Sequence, residues 1–143
     1  MSINQVIDKV ELNPKELFMI DGIGAILSAF LLGVVLVKFE SIFGIPSSTL
    51  YFLAAIPICF ATYDFYCYHK ENSELAQFVK GIAIMNFLYC CLSLGFAFYH
   101  VETITSLGWT YILIEIVIVI ILATIELKVA KKLITKYDTN DLK

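Results

Sequence analysis

Four side chains of types that do chemistry lie within long apolar stretches of this sequence: Asp21, Asp64, Asn86 and Glu115. A carboxyl group in such surroundings can pass a proton, receive a ligand's hydrogen bonds or hold a cation. Its charged form at the centre of a membrane helix costs about 2.5–3.5 kcal/mol on insertion scales, so an acid retained there is first a functional hypothesis. Tyr66 and Tyr89 could donate to these acids, and Ser93 and His100 are further polar candidates.

Helical spacing groups these residues into faces. Asn86, Cys90, Ser93, Ala97 and His100 recur at i, +4, +7, +11 and +14, so the polar residues of that stretch share one side. Ala54, Pro57, Ala61, Asp64 and Tyr68 form a second stripe, in which Pro57 removes a backbone donor and is expected to kink its helix. Asp21, Ala25, Ala29 and Gly33 repeat every four residues with Gly24 and Ser28 alongside, a seam of small residues that lets another helix approach closely. Glu115 and Glu126 are eleven residues apart, roughly 20° off register at 3.6 residues per turn.

At about 1.5 Å rise per residue, Asp21 and Asp64 lie roughly 6 Å from the cytoplasmic helix ends and Asn86 roughly 10 Å. Glu126 falls near the edge of that layer, with Lys128 and further lysines beside it, and is expected at the interface. Glu115, roughly 18 Å in, is a separate and deeper acid. Each residue also has a plainer role. Asp21 and Asp64 could reach headgroup water, Asn86 could bridge helices as packing glue, and the tyrosines suit the membrane interface.

The elements that position these residues follow from composition. Of 143 residues, 59% are hydrophobic and 16% charged, with mean hydropathy +0.83. Soluble domains run at about 45–50% apolar and 25% charged, so the chain reads as a membrane protein. Four apolar runs, 17–37, 50–68, 79–99 and 109–127, are each close to the about 20 residues needed to cross a hydrocarbon core. Backbone groups in lipid must be satisfied within the segment, which makes the runs helices. Short links predict an all-α, up-down-up-down bundle of four transmembrane helices in one domain.

Asn13-Pro14-Lys15-Glu16 carries a helix-start signature, so the first crossing is expected to begin at Pro14. Ile3, Val6, Ile7 and Val10 fall at one-face spacing, so residues 1–13 read either as a short interfacial helix or as a frayed tail. Residues 128–143 read as a basic tail. There is no arginine, and the lysines gather at the N-terminal segment, the 69–78 link and the tail, with Lys38 alone on the other side. The positive-inside rule then puts both termini in the cytoplasm.

Other classes find little footing. Cys59, Cys67, Cys90 and Cys91 form no C-x-x-C, and His69 and His100 fall at opposite ends of the bundle. No metal or cofactor is expected, and a net charge of −3 without a basic patch gives no sign of nucleic-acid binding. The expected surroundings are the lipid bilayer, with a second copy or a membrane-protein partner as a docking candidate.

IDGIGAILSAFLLG, the Glu40–Pro46 link, YDFYC at Tyr63–Cys67 and NFLYC at Asn86–Cys90 resemble small four-helix membrane proteins of uncharacterised function from Bacteroidetes-type bacteria. That resemblance implies a multi-pass protein of a bacterial inner membrane and carries no activity. The residues themselves favour small-molecule or ion binding and transport coupled to protons on the acids. The alternatives are an accessory subunit docked through the small-residue face, or a membrane enzyme acting on a lipid-like substrate with Asp21 or Asp64 as general acid or base.

Overall fold

The computed structural model describes residues 5, 13–70 and 74–141, with side chains of the last helix described to residue 135. The predicted interfacial segment, apart from residue 5, lies outside the described residues. So do residues 71–73 of the second link and the side chains of Lys136 and Lys143.

Among the described residues the chain is all helix. α1 (Lys15–Phe30) continues through a wider π-helical segment, Leu31–Leu36. A single turn, α2 (Glu40–Phe43), leads into α3 (Ser47–Tyr68), followed by α4 (Leu75–Tyr99) and α5 (Ser106–Asp141). Three of these, Lys15–Leu36, Ser47–Tyr68 and Leu75–Tyr99, are long and apolar enough to span a membrane, with 22, 22 and 25 residues. At about 1.5 Å per residue each exceeds the roughly 30 Å hydrocarbon core, which points to a membrane protein. α5 runs well past the expected end at residue 127, so the lysine-rich tail is helical as far as Asp141.

Local chemistry explains the helix ends. Asn13 Nδ2 donates to Glu16 Oε1 at 3.2 Å, so the start signature joins side chain to side chain in place of a side-chain bond to the backbone. Pro46 caps the start of α3 in an extended conformation, φ −58° and ψ 140°, where its missing N–H removes no helical hydrogen bond. α3 then passes Pro57 without interruption. Thr62, Thr110 and Thr124 face outward, and each hydroxyl donates to the carbonyl four residues back, which lets a polar side chain sit on an apolar surface.

The helices pack as two pairs. α1 with its π segment lies along α3, and α4 lies along α5, while contacts between the pairs are sparser. Gly22 and Gly33 make the first pairing close: a Cβ at Gly22 would meet Asp64 Cβ at 3.3 Å, and one at Gly33 would meet Ala54 Cβ at 3.2 Å. The pairs are latched at the α2 end. Thr105 N–H donates to Phe43 O at 3.1 Å and its hydroxyl donates to Ile42 O at 2.6 Å. Gly44, at φ +70°, lies against the Thr103 carbonyl, and Gly108 lies against the Phe43 carbonyl, so neither position has room for a side chain.

Two apolar clusters close the ends of the molecule. One joins Leu17, Phe18, Cys67, Leu75, Val79 and Leu133. The other gathers Leu32, Leu36, Leu50, Leu53, Ile104 and Ile112. Asp21, Asp64, Asn86 and Glu126 lie next to the first cluster, and Glu115, between Ile112 and Ile116, is set into the second.

Candidate functional site

The layer next to the first cluster draws one polar side chain from each long helix: Asp21 from α1, Asp64 from α3, Asn86 from α4 and Glu126 from α5. Relative exposures are 5%, 1%, 4% and 1%, so all four are cut off from solvent. Asn86 sits at the centre, and its Nδ2 donates to Asp21 Oδ1 at 3.2 Å and to Glu126 Oε2 at 3.3 Å. Asp21 Oδ2, Glu126 Oε1 and both oxygens of Asp64 have no donor among the described residues.

Asp64 lies across the α1–α3 contact from Asp21, with its Cβ 3.3 Å from where a Cβ would stand at Gly22. Two carboxylates are acceptors only, so a bond between them requires a proton on one. No described lysine is buried, so no described cation balances the layer. Three ionised carboxylates there would be uncompensated charges in an apolar interior, and protons or a bound donor must hold them together.

Glu115 forms a second node farther along α5. Ser28 Oγ donates to Glu115 Oε1, and Tyr89 OH donates to the same oxygen at 3.1 Å. The hydrogen bonds tie α1, α4 and α5 together, and Phe60 of α3 packs edge-on to Tyr89 with ring centroids 6.1 Å apart. This deeper acid, expected to stand apart, is thus met by two donors.

A cavity of about 250 Å³ connects the two nodes. Asp21 and Asn86 form its floor, Ser28 and Glu115 its wall, and Phe60 and Leu122 part of its apolar lining. It lies in the gap between α1 and α5, where the two helix pairs do not meet closely.

Several expectations are corrected by this geometry. Glu126 joins the layer from the fourth long helix, buried and pointing at Asn86 instead of outward, and α5 continues beyond it. Tyr66 is 53% exposed and turned toward Lys70, whose ammonium lies 4.7 Å from its ring centroid, so it does not serve the acids. Tyr89, by contrast, does donate to one of the acids, Glu115. His100 pairs with Thr49 Oγ1 at 2.9 Å at the other end of the bundle, and Ser93 is buried one turn beyond Tyr89, so neither reaches the acid layer.

The small-residue seam also divides. Gly33 packs on α3, but Gly24 is exposed and has open space where a Cβ would be. Gly24, Ala25 and Ser28 line the cavity, while Ala29 borders a shallow outer groove with Ala61 of α3. In the α3 stripe Ala54, Pro57 and Asp64 are buried, but Tyr68 is 43% exposed. The residues missed as packing and polar elements are Gly22 and Thr49. Gly22 carried a usable signal, lying eleven residues before Gly33 on the same face.

Among the described residues no group of three His, Cys, Asp or Glu is arranged to hold a metal ion, and the four cysteines are free. No protein family, no characterised protein and no solved structure matches the chain. The reading of function therefore rests on the site.

Proposed function

We propose that this protein is a four-crossing membrane unit that binds and transports a small molecule, with protons carried on the same acids. On this reading α5 is the fourth crossing, and the lysines at 15, 70, 80, 128, 131 and 132 keep both termini in the cytoplasm of a bacterial inner membrane. The observation that carries the reading is a cavity whose floor is a buried carboxyl group with an unused oxygen, Asp21 Oδ2. An acid placed only to link helices would be met by donors, as Glu115 is by Ser28 and Tyr89.

The accessory-subunit reading is weakened because Gly22 and Gly33, the closely packed glycines of α1 and its π segment, are occupied by α3 of the same chain. The enzyme reading lacks a nucleophile or base paired at the cavity beyond the acids themselves.

Native mass spectrometry of the protein from mild detergent tests the proposal. A small-molecule adduct is expected on the wild type and should be lost from the triple variant Asp21→Asn, Asp64→Asn, Glu115→Gln. An adduct retained by the variant, or a stoichiometric protein partner in place of an adduct, would falsify it.

A further inference from the structure

The cavity also carries information about what enters it and from where. Both ends of the polar layer are closed by apolar clusters, one around Leu17, Phe18 and Val79 and the other around Leu32, Leu53 and Ile112. The cavity instead borders a lateral gap flanked by Leu27 on α1 and by Ile114 and Ile118 on α5. These three are 56%, 57% and 60% exposed on the apolar outer surface. Charged or strongly hydrated solutes are not expected to use such a mouth, because each must shed its water in hydrocarbon.

Hydrogen-bond accounting then sets the chemistry. The donors nearest the acids are committed: Ser28 and Tyr89 to Glu115, and the Asn86 amide to Asp21 and Glu126. Oxygens are left over at Asp21, Asp64 and Glu126. Asp21 is 5% exposed and lines the cavity, so its carboxyl group, one oxygen of which has no donor, borders whatever occupies that space. A fitting ligand brings N–H donors and an apolar body. Size agrees with a ring and a short arm, since a cavity of roughly 150 Å³ already holds benzene and this one measures about 250 Å³.

We propose that the cavity binds a lipid-soluble primary amine, delivered sideways from the bilayer between α1 and α5, with its nitrogen on Asp21 and its hydrocarbon body against Phe60 and Leu122. This rests on the small-molecule binding reading above and names its ligand class and route. The amine arrives neutral. Its nitrogen lone pair takes the proton from the Asp21 carboxyl group: one O–H bond breaks, one N–H bond forms, and an ammonium–carboxylate pair results with no change in net charge. Asp64 on α3 and Glu126 on α5 are the other titratable groups near this point, and Glu115 and the phenol of Tyr111 line the cavity above it. The ammonium hydrogens can serve oxygens that otherwise depend on shared protons.

The test uses the full chain in phosphatidylcholine nanodiscs and three probes of one shape: cyclohexylmethylamine, cyclohexylmethanol and the trimethylated ammonium analogue. Saturation-transfer NMR, corrected with empty nanodiscs, reads binding and exchange. The amine should bind at least tenfold more tightly than the alcohol, and the trimethylated cation, which has no N–H, should show no signal above empty discs. Asp21→Asn should weaken the amine at least tenfold, and Ile118→Trp should slow its exchange at least fivefold. Equal binding of the alcohol or of the trimethylated cation overturns the ligand class, as does an amine affinity unchanged by Asp21→Asn. Unchanged exchange in Ile118→Trp overturns the route. Should Asp21→Asn fail to fold, the three-probe comparison on the wild type still decides the class. No amine binding, alongside a native adduct lost in the triple acid variant, overturns the amine and leaves the binding reading standing; loss of both results removes both.

Discussion

The two polar nodes use the same kind of residue to opposite ends. At Glu115 one carboxyl group meets two hydroxyl donors, from Ser28 and Tyr89. In the lower layer one amide serves two of three carboxyl groups, and four of the six oxygens are left without donors. The upper node, where both donors meet Oε1, behaves as a fastener between α1, α4 and α5. The lower node is incomplete as built, and only protons or a ligand can complete it. Burial alone does not separate them, since Glu115 and Asp21 are 9% and 5% exposed. What separates them is the ratio of donors to acceptors.

Three substitutions press on this contrast, each read as a change in unfolding free energy during SDS titration in mild detergent, followed by far-UV circular dichroism. The largest effect is expected from Asn86→Leu. It removes the amide from the centre of the lower layer and leaves two more oxygens bare, for a loss of about 3 kcal/mol. Asp64→Leu should act in the other direction, gaining about 2 kcal/mol, because removing a buried acid without donors outweighs the crowding of the larger leucine against Gly22. A loss of stability in Asp64→Leu would mean that the layer is finished after all and that the contrast is wrong. Glu115→Leu should cost least, about 1 kcal/mol, the usual scale of an interhelical hydrogen bond in a membrane. Ser28 can turn back to a carbonyl of its own helix, which limits the loss.

Much of the lower layer was legible in the sequence because helical spacing depends only on counting. Asp21, Asp64 and Asn86 converge because each lies on the small or polar face of its own helix. Glu126 was misplaced by its neighbours: the lysines after it suggested a helix end, whereas α5 continues to Asp141 and leaves the side chain facing α4. The seam on α1 was in error by about one residue of phase. Gly22 and Gly33 touch α3, while Gly24 and Ala25 look into the cavity, and steps of four around a helix cannot distinguish faces 100° apart without knowing where the neighbours stand. Tyr66 and Tyr89 posed the same difficulty, since a tyrosine in an apolar helix is equally at home outside with Lys70 or inside with Glu115. The cavity itself had no sequence signal, because a gap is made by residues that do not meet.

The pairing of α1 with α3 and of α4 with α5 has a consequence for how the protein is made. Each pair joins successive long helices, so it can close as soon as its second member has been synthesised, with little chain to draw together. The first half then waits with Asp21 and Asp64 already side by side, and Asn86 and Glu126 arrive with the second. Docking of the two halves, latched where Gly44 and Gly108 admit the opposing carbonyls, is therefore also the moment at which the acids lose their access to water and must settle who holds the protons.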